Sequence, residues 1–251
     1  MQKTALAEDI RYDYETQEED GYYGYRTLVS YENGEWKVTG YRPLTEDDFL
    51  EPEEGDVYMQ GNVHENEVDR LKSIFRYHLG DRKNITVYSD KKIIWGIPGL
   101  ENPAPDISIF ENVREPEKPR SSFSVPEEGV RPFFVMEVVS PRYRNADINK
   151  KPGIYQRAGV PEYIIADPGL EKKEISYTLT GYKLAGNRYV KIKPDPRGRI
   201  YSISTGLWFG VSENRDRLII TDRAGQELLS DDERAAQAEA RALSAEERAE
   251  Q

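Results

Sequence analysis

The run FVMEVVSP at 134–141 has the length and composition of a buried β-strand, yet it carries one carboxylate, Glu137, at its centre. Ionised and unpaired among Phe134, Val135, Val138 and Val139, that carboxylate would be strongly unfavourable. It must face a cation, a metal or a matched donor, or else close a structural ion pair with a basic side chain.

A second acid stands in a similar setting. In PAPDISIF at 103–110, Asp106 follows Pro105 and opens another short strand-like run. Side chains alternate along a strand, so Ile107 and Ile109 share one face while Asp106 and Ser108 share the other. By the same period Phe133, Val135, Glu137 and Val139 share a face. Two neighbouring strands would then aim Asp106 and Glu137 into one hollow. Carboxylates held that close repel one another unless a cation lies between them, and a sparse all-oxygen set suits hard Mg2+ or Mn2+. The simplest chemistry for such a site is metal-assisted hydrolysis of a phosphodiester.

The order of motifs resembles the PD-(D/E)XK nuclease superfamily and, within it, the Uma-two family of restriction endonucleases. The residues that carry the resemblance are His64 on a helix, Pro105-Asp106, and Glu137-Val138-Val139-Ser140-Pro141. Asp147 with Lys151 and Tyr155 follows, and then AGVPEYIIADP at 158–168. The likeness runs from about Tyr41 to about Val211. It implies a restriction-endonuclease-like α/β core, a mixed central sheet flanked by helices in the order αβββαβ, with a C-terminal β-hairpin extension. It implies that Asp106, Glu137 and the carbonyl of Val138 bind Mg2+ (or Mn2+) for DNA cleavage. A homodimer follows only by analogy, since paired sites address paired strands.

The chain departs from the superfamily at position 139, where Val139 replaces a lysine that would share Glu137's face. The resemblance points to a migrated lysine in the next segment, Lys151, with Lys150 beside it. Pro152 immediately after Lys151 places a helix start there, because proline fits the first helical turn. Lys151 would then sit at the helix end and not within it, and a solvated basic turn is the competing reading. From Val139 and Pro152 follows the alternative function, a nuclease-fold protein that binds nucleic acid or a protein partner without turnover. A glycoside hydrolase built on the two carboxylates is a third reading, and the basic rim around them argues against it.

Charge along the chain is uneven. The net charge is −11, which at first opposes binding to phosphates. Residues 1–40 and 222–251 each hold nine acids against four bases, so the body at 41–221 is near neutral. Within it, 131–160 carries six bases against Glu137 and Asp147. Arg142, Arg144 and Lys150 are therefore candidate phosphate contacts, although loop arginines more often serve only solubility.

Composition narrows the classes further. The chain has no cysteine and two histidines, which excludes disulfides, thiolate zinc sites and a histidine-rich metal centre. No apolar run approaches the roughly 18 residues of a membrane span, and the N-terminus is acidic and unlike a secretion signal. The sequence is read as cytoplasmic, and it contains no phosphate-cradling glycine loop.

Three regions follow. Residues 1–40 read as an acidic, tyrosine-rich extension or edge hairpin with turn signals such as Asn33-Gly34. Residues 41–221 are read as the restriction-endonuclease-like domain that the resemblance implies, and 222–251 as a charged, solvated helix. Spacing of His64, Val68, Leu71, Phe75 and His78 predicts a helix from Asn62 to a stop at Gly80. His64 lies on its buried face as a core histidine more readily than as a catalytic group, and Glu67 is a candidate helix carboxylate for the site. Strands are predicted at 85–89, 91–95, 106–110, 133–139 and 162–167, with a helix at 152–158 and a long charged loop at 111–131. Beyond Pro168 the pattern is all-β, and its aromatic set (Tyr182, Tyr189, Tyr201, Trp208, Phe209) is read as packing in preference to base stacking.

Overall fold

A computed structural model of the chain describes residues 23–59, 61–80, 82, 84–171 and 174–249. Most of the acidic N-terminal extension lies outside the described residues. Its last part is a hairpin of β1 (Gly24–Glu32) and β2 (Glu35–Pro43). Asn33 and Gly34 turn it with φ of +54° and +88°, the mirror-image turn that follows the twist of the strands. The expected boundary at residue 40 falls inside β2. A one-turn helix, α1 (Glu46–Leu50), carries a Thr45/Asp48 capping box, and β3 (Asp56–Tyr58) then pairs with β1.

The long helix α2 (Asn62–Gly80) forms as its spacing predicts, burying Val68, Leu71, Ile74, Phe75 and Leu79. After it come β4 (Ile85–Tyr88), β5 (Lys92–Ile94) and β6 (Ile107–Glu111). The stretch at 111–131 is not all loop. It contains β7 (Ser122–Ser124), which pairs in parallel with β5, and a short helix α3 (Val125–Glu128). β5 thereby leaves the central sheet.

Next in sequence are β8 (Phe134–Val138), α4 (Lys151–Ala158), β9 (Glu162–Glu171), β10 (Glu174–Ala185) and β11 (Arg188–Lys191). The central sheet has the order β11-β10-β9-β8-β6-β4. All neighbours are antiparallel except β8 and β9, whose parallel pairing requires a crossover that α4 supplies. Helix, strands bearing the acids, helix, strand is the order the sequence led one to expect, and the fold is mixed α/β.

Both faces of this sheet are covered. On one side α2 packs on Ile107, Ile109, Phe134, Met136, Val138 and Ile164. There a second small sheet, β12 (Ile200–Tyr201), β13 (Trp208–Val211) and β14 (Leu218–Thr221), closes the core with Ile200, Phe209 and Ile220. On the other side Val135, Val139, Tyr155, Tyr163 and Ile165 pack with Trp95, Phe110 and Phe123. Phe133 precedes the strand and packs on the α2 side, so it does not share Glu137's face as the alternation alone implies. The tail forms α5 (Asp231–Ala249), tied to α2 through Arg70 with Glu233 and Ser73 with Asp231. Among the described residues no helix is long and apolar enough to cross a membrane.

Candidate active site

Pro103 and Pro105 hold the approach to β6 extended, and the N–H of Asp90 donates to the Pro105 carbonyl at 3.0 Å. Asp106 therefore enters beside the end of β8. The ladder pairs Ile107 with Met136, and one step further Asp106 meets Glu137. The Asp106 backbone N–H donates to Glu137 Oε2 at 3.3 Å, and the Val138 N–H donates to Asp106 Oδ2 at 2.7 Å. The two acids that alternation aimed at one hollow do converge, and both are buried.

Two helices complete the cluster. From the first turn of α2, His64 Nε2 lies 3.1 Å from Asp106 Oδ2, while its buried Nδ1 has no hydrogen-bond partner among the described residues. From α4, Lys151 places Nζ 2.9 Å from Glu137 Oε1 and 2.8 Å from Asp147 Oδ1. The Tyr155 hydroxyl donates to Glu137 Oε1 at 2.6 Å. Lys151 is only 1 % exposed, and its ammonium sits 4.4 Å from the centre of the Phe49 ring, a cation–π contact.

The chain reaches this geometry through an irregular turn. Residues Ala146–Lys150 form a π-helical turn that runs into α4, and the Lys151 N–H bonds back to the Ala146 carbonyl. Pro152 has no N–H to give to Ile148, so a regular α-turn would lack a bond here, and the widened turn accommodates that loss. Lys151 does lie at the start of α4. The wide turn nevertheless keeps it inside the fold and against both acids.

Burial and charge set the protonation of each group. Burial pushes the Glu137 carboxyl up to about 8; the Lys151 ammonium opposes this, and Asp106 adds to it. Burial likewise takes Asp147 up to about 6 against the pull of Lys151. For Asp106 burial acts upward too, but the His64 hydrogen bond and charge, with Lys151 and the Val138 N–H, hold it below its usual range. His64 would be lowered by burial, yet its bond to Asp106 outweighs that and raises it to about 8. Three carboxyl groups thus lie beside two cations, and burial leaves Glu137 the most raised of the three.

Asp106 also lines an open cavity of about 710 Å3, together with Phe49, Tyr58, Asp90, Lys92 and Ser122. Among the described residues no group of three or more His, Cys, Asp or Glu is arranged to hold a metal ion. The two carboxylates, Asp106 and Glu137, suit a hard cation that keeps much of its water, as Mg2+ does. They do not suit a fully caged one.

The remaining candidates lie elsewhere. Glu67 is held by Arg70 at 2.7 Å, away from the acids. Lys150 turns outward to Glu46 at 2.5 Å, and Arg144 pairs with Asp167. Arg142 and Arg144 line a separate cavity with Tyr23, Asn145 and Asn149. Sequence reasoning noted Asp147 and Tyr155 only as marks of a resemblance, and it missed Asp90; a polar residue outside any periodic run gives no signal of facing a site.

The sequence model of the Uma2 family, described as "Putative restriction endonuclease", matches residues 41–214. Comparison with curated proteins finds no match. Among solved structures, a crystal structure of a "putative nuclease belonging to DUF820" from Anabaena variabilis is similar at 14 % identity and a TM-score of 0.45. That likeness covers 71 % of this chain and 83 % of the other.

Proposed function

Because the chain belongs to the Uma2 family, whose model spans both acids and Lys151, we propose that it is a divalent-metal-dependent endonuclease acting on DNA. The observation that carries this reading is the convergence of Asp106 and Glu137 from adjacent strands with a buried lysine 2.9 Å from Glu137. That lysine occupies the role left open by Val139.

Asp106, Glu137 and the Val138 carbonyl would hold Mg2+. When bound, such an ion polarises the phosphodiester and lowers the pKa of its water. His64 and the Val138 N–H orient Asp106 through Oδ2, and His64 helps to keep it ionised. Lys151 is kept cationic by Asp147, Glu137 and Asp106 despite its burial, so it offers fixed positive charge beside the site with no reorganisation cost. Phe49 covers Lys151 on one side and excludes water there.

Cleavage of duplex plasmid DNA tests the reading. The wild-type chain should nick or linearise it with Mg2+ or Mn2+ and not with EDTA, and Asp106→Asn should abolish the activity. Equal cleavage by that variant would overturn the assignment of Asp106. A second reading, binding without turnover, rests on Lys151 being shared between Glu137 and Asp147, since its ammonium already neutralises part of the site. Metal binding with no cleavage of duplex or single-stranded DNA is its signature. By analogy with enzymes that cut two strands, the active form would be a homodimer.

A further inference from the structure

Asp147, Lys151 and Tyr155 are spaced four and four apart, and all three are buried. Two of their polar ends meet one atom: Tyr155 Oη at 2.6 Å and Lys151 Nζ at 2.9 Å from Glu137 Oε1. Asp147 holds Nζ from behind at 2.8 Å. The segment is itself pinned, because the Tyr163 hydroxyl donates to the Asp147 carbonyl at 3.0 Å and the Tyr155 ring packs edge-on against Tyr163.

Polar side chains at such depth are a costly way to stabilise a fold, since apolar groups of similar shape often serve as well or better. Their convergence on one oxygen of one carboxylate calls for another purpose. Among the described residues, Oε1 receives both side-chain contacts, whereas Oε2 receives the long bond from the Asp106 N–H. One oxygen of Glu137 is thus committed within the protein and the other is only lightly held.

We propose that Tyr155 and Asp147 are positioning residues: Tyr155 fixes the rotation of the Glu137 carboxylate through Oε1, and Asp147 fixes Lys151 against that same oxygen, leaving Oε2 to serve the cation. The inference rests on the metal-dependent reading above, and it assigns roles to two residues that touch neither the metal nor the substrate. Partners that orient a metal-binding carboxylate typically change metal affinity or activity by about 10- to 100-fold when lost.

The test is calorimetric titration of the full chain with Mn2+, alongside thermal unfolding without metal, for wild type, Tyr155→Phe and Asp147→Asn. Tyr155→Phe should unfold within a few degrees of wild type and bind Mn2+ about tenfold more weakly or worse. Its kcat on DNA should fall with KM little changed. A purely structural Tyr155 would give the reverse, a lowered unfolding temperature with unaltered Mn2+ affinity, and that result overturns the proposal. Should Tyr155→Phe fail to fold, Asp147→Asn carries the same comparison. Binding of Mn2+ by wild type with no cleavage would remove the nuclease reading, and the affinity comparison would still decide the positioning role.

Discussion

On one face of β8, Phe134, Met136 and Val138 meet the apolar stripe of α2 and the ring of Phe209. On the other, Glu137 stands between Val135 and Val139 and is met by Lys151 and Tyr155. A single alternation makes both faces, and both are fully buried. The first face is held by area and shape. The second carries charges that an apolar core would do without, and on the proposed function this contrast separates residues kept for folding from residues kept for chemistry.

The strongest way to break the comparison is to empty the apolar face. Phe134→Ala removes a ring packed between Phe75 and Phe209 and should destabilise the chain by about 4 kcal/mol. Urea denaturation reads this directly, and a loss under about 1 kcal/mol would mean that the α2 face is not the main source of stability.

Next in size is the polar face. Lys151→Met strands Glu137 and Asp147 without their shared cation, and should cost about 3 kcal/mol. Adding Glu137→Gln and Asp147→Asn should restore most of that loss, because the penalty comes from buried polar groups left without their shared partner and not from lost volume. If the triple variant stays as unstable as the single one, the lysine acts through packing instead.

A smaller effect is expected from pH. His64 and Glu137 are both raised to about 8 in the fold. For each, the folded chain holds a proton that the unfolded chain releases earlier, so stability is fully present below the unfolded value and is lost as pH rises through about 8. Asp106, being lowered, works oppositely: its contribution is lost as pH falls below the ordinary carboxylate range. Metal-free protein should therefore lose stability between about pH 5 and pH 9. Glu137→Gln should make that decline shallower, and denaturation midpoints across the range check it.

Much of this contrast was legible in the sequence. Glu137 and Asp106 could be placed because each sits in an apolar run with a period of two, and a lone carboxylate in such a run is conspicuous. The stripe of α2 was plain for the same reason. Lys151 was harder, since Pro152 announces a helix start, whereas its burial depends on a π-turn at 146–150 that only packing against β9 and α1 fixes. β7 was hidden because three residues paired to the equally short β5 carry almost no local signal. The alternation also put Phe133 on the wrong face by assuming that the strand began one residue early. His64 was read as a core histidine, and it is buried as expected. Its partner proved to be Asp106, which no spacing along α2 can reveal.

Cleavage of plasmid DNA in Mn2+ by wild type and Glu137→Gln, at equal folded concentration, tests the central claim most directly. Glutamine keeps the shape and can still accept from Tyr155, while the carboxylate charge is gone. The account predicts a folded variant whose cleavage rate falls by about a hundredfold or more. A folded Glu137→Gln that cleaves as fast as wild type would contradict it.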